Sequence, residues 1–129
     1  MKREFHYTVK TSKSFDAAVR AIEQKTAEKA FRVLHTHDVA ATLTEKGFPR
    51  DPLKIVEICN ARYASEVLKK DINIAFMLPC PVAIYTQSGT TFIGTMLPSN
   101  LVEFSPETNI DELASKVEQV VLGITSEAK

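Results

Sequence analysis

Two thiols, Cys59 and Cys80, are the side chains of this sequence best suited to chemistry, and both fall within one stretch from Lys54 to Gln87. Each stands at the edge of an apolar run. Cys59 is followed by Asn60, a good helix N-cap, which places its sulfur beside the first amides of a helix. Amide dipoles there favour a thiolate and lower its pKa where solvent reaches it. Cys80 is held between Pro79 and Pro81 in a rigid, extended bend. If neighbouring strands bring the two bends together, the sulfurs can bind a soft metal or form a reversible disulfide. The plainer reading is that both are small buried hydrophobes, since free cysteine is among the most buried residue types.

Other polar residues are weaker candidates. Glu57, two residues before Cys59, can serve as a base or orient a ligand, although an ion pair with Arg62 or Lys54 explains it as well. His35 and His37 share one face of a predicted strand, a spacing that suits a divalent metal. No further histidine pair or carboxylate cluster stands near them in the sequence, so solvent-facing histidines at a strand end are the simpler account. The candidate ligand-binding set is therefore Cys59, Asn60, Cys80, Glu57 and Tyr85, with His35 and His37 as weak metal candidates. No cofactor is expected.

The elements that must position these residues follow from periodicity. Phe5, Tyr7 and Val9 alternate with polar neighbours, as in a half-buried strand. Ser12 or Ser14 can cap a helix whose buried stripe is Phe15, Val19, Ile22 and Thr26, with Ala18 beside it. From Phe31 the period becomes two, with Phe31, Val33, His35 and His37 on one face and Arg32, Leu34, Thr36 and Asp38 on the other. Val39 to Lys46 reads as a short helix, with Gly47 free to take the left-handed stop. Leu53 to Ile58 is apolar on both faces, so it belongs inside the sheet. Asn60 opens the helix Ala61 to Lys70, with Ala64, Val67 and Leu68 buried. Ile72 to Leu78 reads as another strand.

Val82 to Thr86 and Thr91 to Leu97 flank Gln87-Ser88-Gly89-Thr90 as a hairpin. A loop containing Pro98 and Pro106 follows. The last helix is predicted from Asn109, with Glu112 completing a capping box and Ile110, Leu113, Ala114, Val117, Val121 and Ile124 buried. The expected order is β-α-β-(α)-β-α-β-β-β-α. That is an α+β (mixed α/β) single domain over residues 1–129, a sandwich of helices on a sheet.

Composition narrows the function classes. The length of 129 residues is enough to bury a real core as one domain. Sixteen basic residues balance sixteen acidic ones, against the basic surplus that nucleic-acid binding needs. No apolar segment has signal-peptide or membrane-spanning length. A cytoplasmic location is expected, with reduced thiols rather than a structural disulfide. There is no glycine-rich phosphate loop, no nucleophile elbow and no C-x-x-C pair. The hairpin carries Ile84, Tyr85, Phe92 and Ile93 on its two faces, more than an edge needs, which predicts a homodimer.

Several short motifs together resemble the domain of unknown function 302 family. They are Phe31-Arg-Val-Leu, Asp38-Val, Thr42-Leu-x-Glu45-Lys46-Gly47, Cys59-Asn60, and Leu78-Pro79-Cys80-x-Val82 followed by Tyr85. The resemblance spans about residues 5 to 125. This chain departs from the family pattern at Ala30 and Arg32, where glycines are usual, and at Ala61, where proline is usual. The resemblance implies a compact, often dimeric domain with no established activity.

Two functional expectations follow. One is a homodimeric ligand-binding or accessory domain, not an enzyme, with a pocket for a small molecule near Cys59, Asn60 and Cys80 and no nucleic-acid or membrane partner. The other is a thiol-dependent redox enzyme or soft-metal-binding protein using the same two cysteines.

Overall fold

A computed structural model of the chain describes residues 4–104 and 109–129. Its elements are β1 (His6–Thr11), α1 (Phe15–Glu28), β2 (Arg32–Asp38), α2 (Val39–Glu45), β3 (Leu53–Cys59), α3 (Ala61–Lys70), β4 (Cys80–Gln87), β5 (Thr90–Met96), α4 (Leu101–Phe104) and α5 (Asp111–Ala128). Short 3-10 turns cover Ile72–Met77 and Pro98–Asn100. The five strands form one antiparallel sheet in the order β1-β5-β4-β3-β2. Helices pack on the sheet, which makes the domain α+β, as its periodicity predicts.

Local chemistry explains most of the elements. The Ser14 side chain accepts from the Ala17 amide and starts α1, whose Ala18, Val19, Ile22 and Thr26 are buried. Asp38 caps α2 in the same way, and Gly47 takes a φ of 90° after it, as a helix stop requires. Ser88 and Gly89 link β4 and β5, both with positive φ, the geometry that matches the twist of a two-residue hairpin.

Three expectations are corrected. Ile72 to Leu78 is not a strand. Asp71 accepts from the Asn73 amide, and the chain winds into a 3-10 turn that buries Ile74 while leaving Ile72 and Phe76 exposed. Strand pairing begins only at Cys80, opposite Ile58, and among the described residues no strand pairs with this run. The alternation of β2 also breaks. The register shifts between Val33 and His35, so Val33 and Thr36 are half-buried while Leu34, His35 and His37 are exposed. Finally, Asn109 does not cap the last helix. Its φ of 57° is left-handed, α5 starts at Asp111 without a side-chain cap, and Glu112 pairs instead with Lys116 at 3.4 Å. The predicted loop at Pro106 lies outside the described residues, and Pro98 opens a 3-10 turn instead.

The core has two parts. The main one lies between one sheet face and α1 and α5, with Ile22, Val56, Ile58, Val82, Ile84, Ile93, Val121 and Ile124 fully buried. A second cluster of Val67, Ile74, Leu101 and Ile110 closes the Cys59 end of the sheet. Among the described residues, α1 and α5 cover the core face and leave the opposite face to its own side chains. Its central rows are His37–Ile55–Ala83–Gly94–Thr8 and Leu53–Tyr85–Phe92–Lys10. No helix among the described residues is long and apolar enough to cross a membrane.

Candidate functional site

The two cysteines line one cavity. The β3–β4 register sets Ile58 opposite Cys80, so Cys59, the last residue of β3, lies diagonally beside it. Their cavity lies at the sheet end. Phe31 and Leu78 complete that wall, and α3 adds Tyr63, Ala64 and Val67. Leu101, Ile110, Ala114 and Val117 close the far side. The cavity volume is about 40 Å³, enough for roughly three waters at about 10–15 Å³ each. Its walls are almost entirely carbon and sulfur. Among the described residues, no carboxylate, imidazole or ammonium lines it.

Asn60 belongs to the cavity wall, yet its amide group is already committed. Its Oδ1 accepts from the Tyr63 amide at 3.1 Å, capping α3, and its Nδ2 donates to the Ala30 carbonyl at 3.1 Å. Asn60 therefore ties the start of α3 to the turn before β2. Replacing it with alanine removes both bonds. We expect Asn60→Ala to cost about 1–2 kcal/mol in urea unfolding, the upper range for a lost N-cap. A loss below about 0.3 kcal/mol would show that neither bond matters to stability.

Both thiols are held as thiols. Burial raises the Cys59 pKa, and the hydrogen bond from the Asn60 amide offsets this only in part. Desolvation, with a smaller contribution from the charge of neighbouring Cys59, pushes Cys80 up to about 11. Of the two outcomes open for Cys59 at the helix start, burial prevails, because desolvation outweighs the lowering effect of the Asn60 backbone hydrogen bond. Neither cysteine is disulfide-bonded.

Glu57 and Tyr85 are not part of this cavity. Both project from the open sheet face, where Tyr85 stacks on Phe92 with ring centroids 5.4 Å apart. Glu57 pairs with neither Arg62 nor Lys54. Its Oε2 lies 3.3 Å from His37 Nε2, while Arg62 pairs with Glu66 at 3.5 Å and Lys54 sits 5.8 Å from the centre of the Phe15 ring. The His35 and His37 rings meet edge-on at 4.4 Å. Among the described residues, no group of three His, Cys, Asp or Glu side chains is arranged to hold a metal ion. Of the cavity wall, the sequence pointed to Cys59, Asn60 and Cys80 alone; the apolar residues around them, among them Phe31, Tyr63, Ala114 and Val117, were not foreseen as site residues. The only signal for them was helical and strand periodicity, which marks core without telling a cavity wall from a filled interior.

Comparison with known proteins agrees with this architecture. A family model described as domain of unknown function DUF302 matches residues 7–128. Among solved structures, the chain is similar to an uncharacterized conserved DUF302 protein from Bacillus stearothermophilus, with a TM-score of 0.92 and 30% sequence identity. The match covers 98% of this chain and 100% of that one. No curated protein matches the chain.

Proposed function

The chain belongs to the DUF302 family, and we propose that it is a ligand-binding domain that holds a slim, uncharged, largely apolar molecule in the cavity beside Cys59 and Cys80. The observation that carries this reading is the lining. Among the described residues, hydrocarbon, the Tyr63 ring and two thiols surround a space whose amide side chain, Asn60, has its hydrogen bonds made elsewhere. Such a wall attracts apolar groups through desolvation. Thiol-dependent catalysis is less well supported. Nucleophilic attack needs a thiolate, and burial works against one at both positions. Free thiols also suit the reducing cytoplasm as the protein's setting.

The same reading includes a homodimer built on the open sheet face. One-sided antiparallel sheets ordinarily show polar side chains to water. This face instead presents Leu53, Ile55 and the stacked Tyr85–Phe92 pair around the small Ala83 and Gly94. Lys10 and Glu57 lie on opposite sides of that small-residue patch. A twofold axis passing over the patch brings Lys10 of each copy onto Glu57 of the other, the reciprocal contact that an isologous interface requires.

Native mass spectrometry of protein purified without added ligand tests both parts. A mass twice that of the 14.3 kDa chain and an organic adduct are expected. Ala114→Leu, which fills the cavity from α5, should remove the adduct and keep the dimer. An adduct that survives this substitution, or none even after exposure to small apolar compounds, overturns the ligand reading. A monomer at micromolar concentration overturns the dimer.

A further inference from the structure

We propose that Cys59 and Cys80 form a two-coordinate site for a single soft monovalent metal ion, cuprous copper, at the sheet end of the cavity. This goes beyond the binding of an apolar molecule and stands without it. The donors are two and of one kind. Two sulfurs from neighbouring strands line one cavity, and the charge of one is felt by the other. Among the described residues lining the cavity, no other side chain is a competent ligand. Its described lining carries no imidazole or carboxylate, and the Asn60 amide is already bonded to Tyr63 and Ala30. Zinc in proteins takes four ligands, commonly a mixture of sulfur and nitrogen. No group of three metal-ligating side chains exists among the described residues to approach that number. Cuprous copper is selected by soft thiolates and can be satisfied by two of them in a near-linear S–Cu–S arrangement.

The surroundings suit the charge that forms. Each thiol gives its proton to solvent, two Cu–S bonds form, and the complex carries one net negative charge. The Asn60 backbone amide donates to Cys59, at the N-terminus of the ten-residue helix α3, where negative charge is stabilised. Phe31, Leu78 and Val67 line the cavity around the two sulfurs. The ion arrives already reduced, so no electron transfer is needed. Because two protons leave for each ion bound, affinity should rise about a hundredfold per pH unit while both thiols stay protonated in the free protein.

The test is an anaerobic titration of the full chain with cuprous copper held by a competing chromophoric chelator. One ion per chain is expected, with the near-hundredfold pH dependence and a raised melting temperature on binding. Cys59→Ala and Cys80→Ala each keep a small apolar group in place, and each should weaken binding at least about a hundredfold and abolish the thermal shift. Circular dichroism of the two variants verifies that they fold. If one variant unfolds, the other decides. Binding that persists in either folded variant, a pH dependence of one proton or none, or copper that binds without raising the melting temperature each overturns the site. Native mass spectrometry separates a bound copper from an organic adduct, so this proposal and the apolar-ligand reading fail independently.

Discussion

Replacing Ile58 with alanine should destabilise the protein by about 2–5 kcal/mol, a large share of the stability of a domain this size. Ile58 has no exposed surface and belongs to the main core cluster. It is held on β3 between Val33 of β2 and Cys80 of β4, so backbone hydrogen bonds on both sides keep the strand from moving into the space left behind. The lost transfer energy and an unrelaxed void then add together. Urea unfolding should show a lower midpoint with an unchanged slope. Ile72→Ala is the control. Ile72 is 70% exposed on its 3-10 turn, and its truncation should stay within about 0.5 kcal/mol. Equal losses at the two positions would contradict both the buried β3 and the exposed turn.

Raising the pH through the alkaline range should produce the second large effect. An unfolded thiol ionises near 9.0, whereas burial holds Cys80 as a thiol up to about 11 in the fold. Below pH 9.0 both states keep the proton, and the stability that Cys80 contributes is fully present. Between 9.0 and about 11 only the unfolded chain loses it, so stability falls as pH rises, and the loss is complete above about 11. Two pKa units correspond to a loss on the order of 2–3 kcal/mol. Unfolding curves for the wild type and Cys80→Ala should converge at high pH relative to their separation at pH 8. Parallel pH dependences would show that Cys80 ionises normally in the fold. Near neutral pH the same shift leaves about a hundredfold less thiolate than an ordinary cysteine has, so alkylation of Cys80 in the folded protein should slow by at least that factor.

What the sequence by itself determined is what short-range interactions decide. The α1 stripe, the Ser14 and Asn60 caps, the left-handed Gly47 and the Ser88–Gly89 turn each depend on residues within about four positions of one another. Such interactions are written in the order of side chains. The pairing of the Cys59 and Cys80 segments could be posed as a question at this level, because both ended apolar runs. Tertiary structure alone answered the rest. An apolar run such as Ile72–Leu78 becomes a strand only where a neighbour offers its free amides and carbonyls, and here none does, so it closes its own hydrogen bonds in a 3-10 turn. A single bulge near Leu34 reverses every side chain beyond it, which sends His35 and His37 to the open face beside Glu57. The fate of the cysteines was decided in the same way. A thiol's pKa depends on how much water its neighbours exclude, and the neighbours that enclose Cys80 come from α3, α4 and α5, far away along the chain.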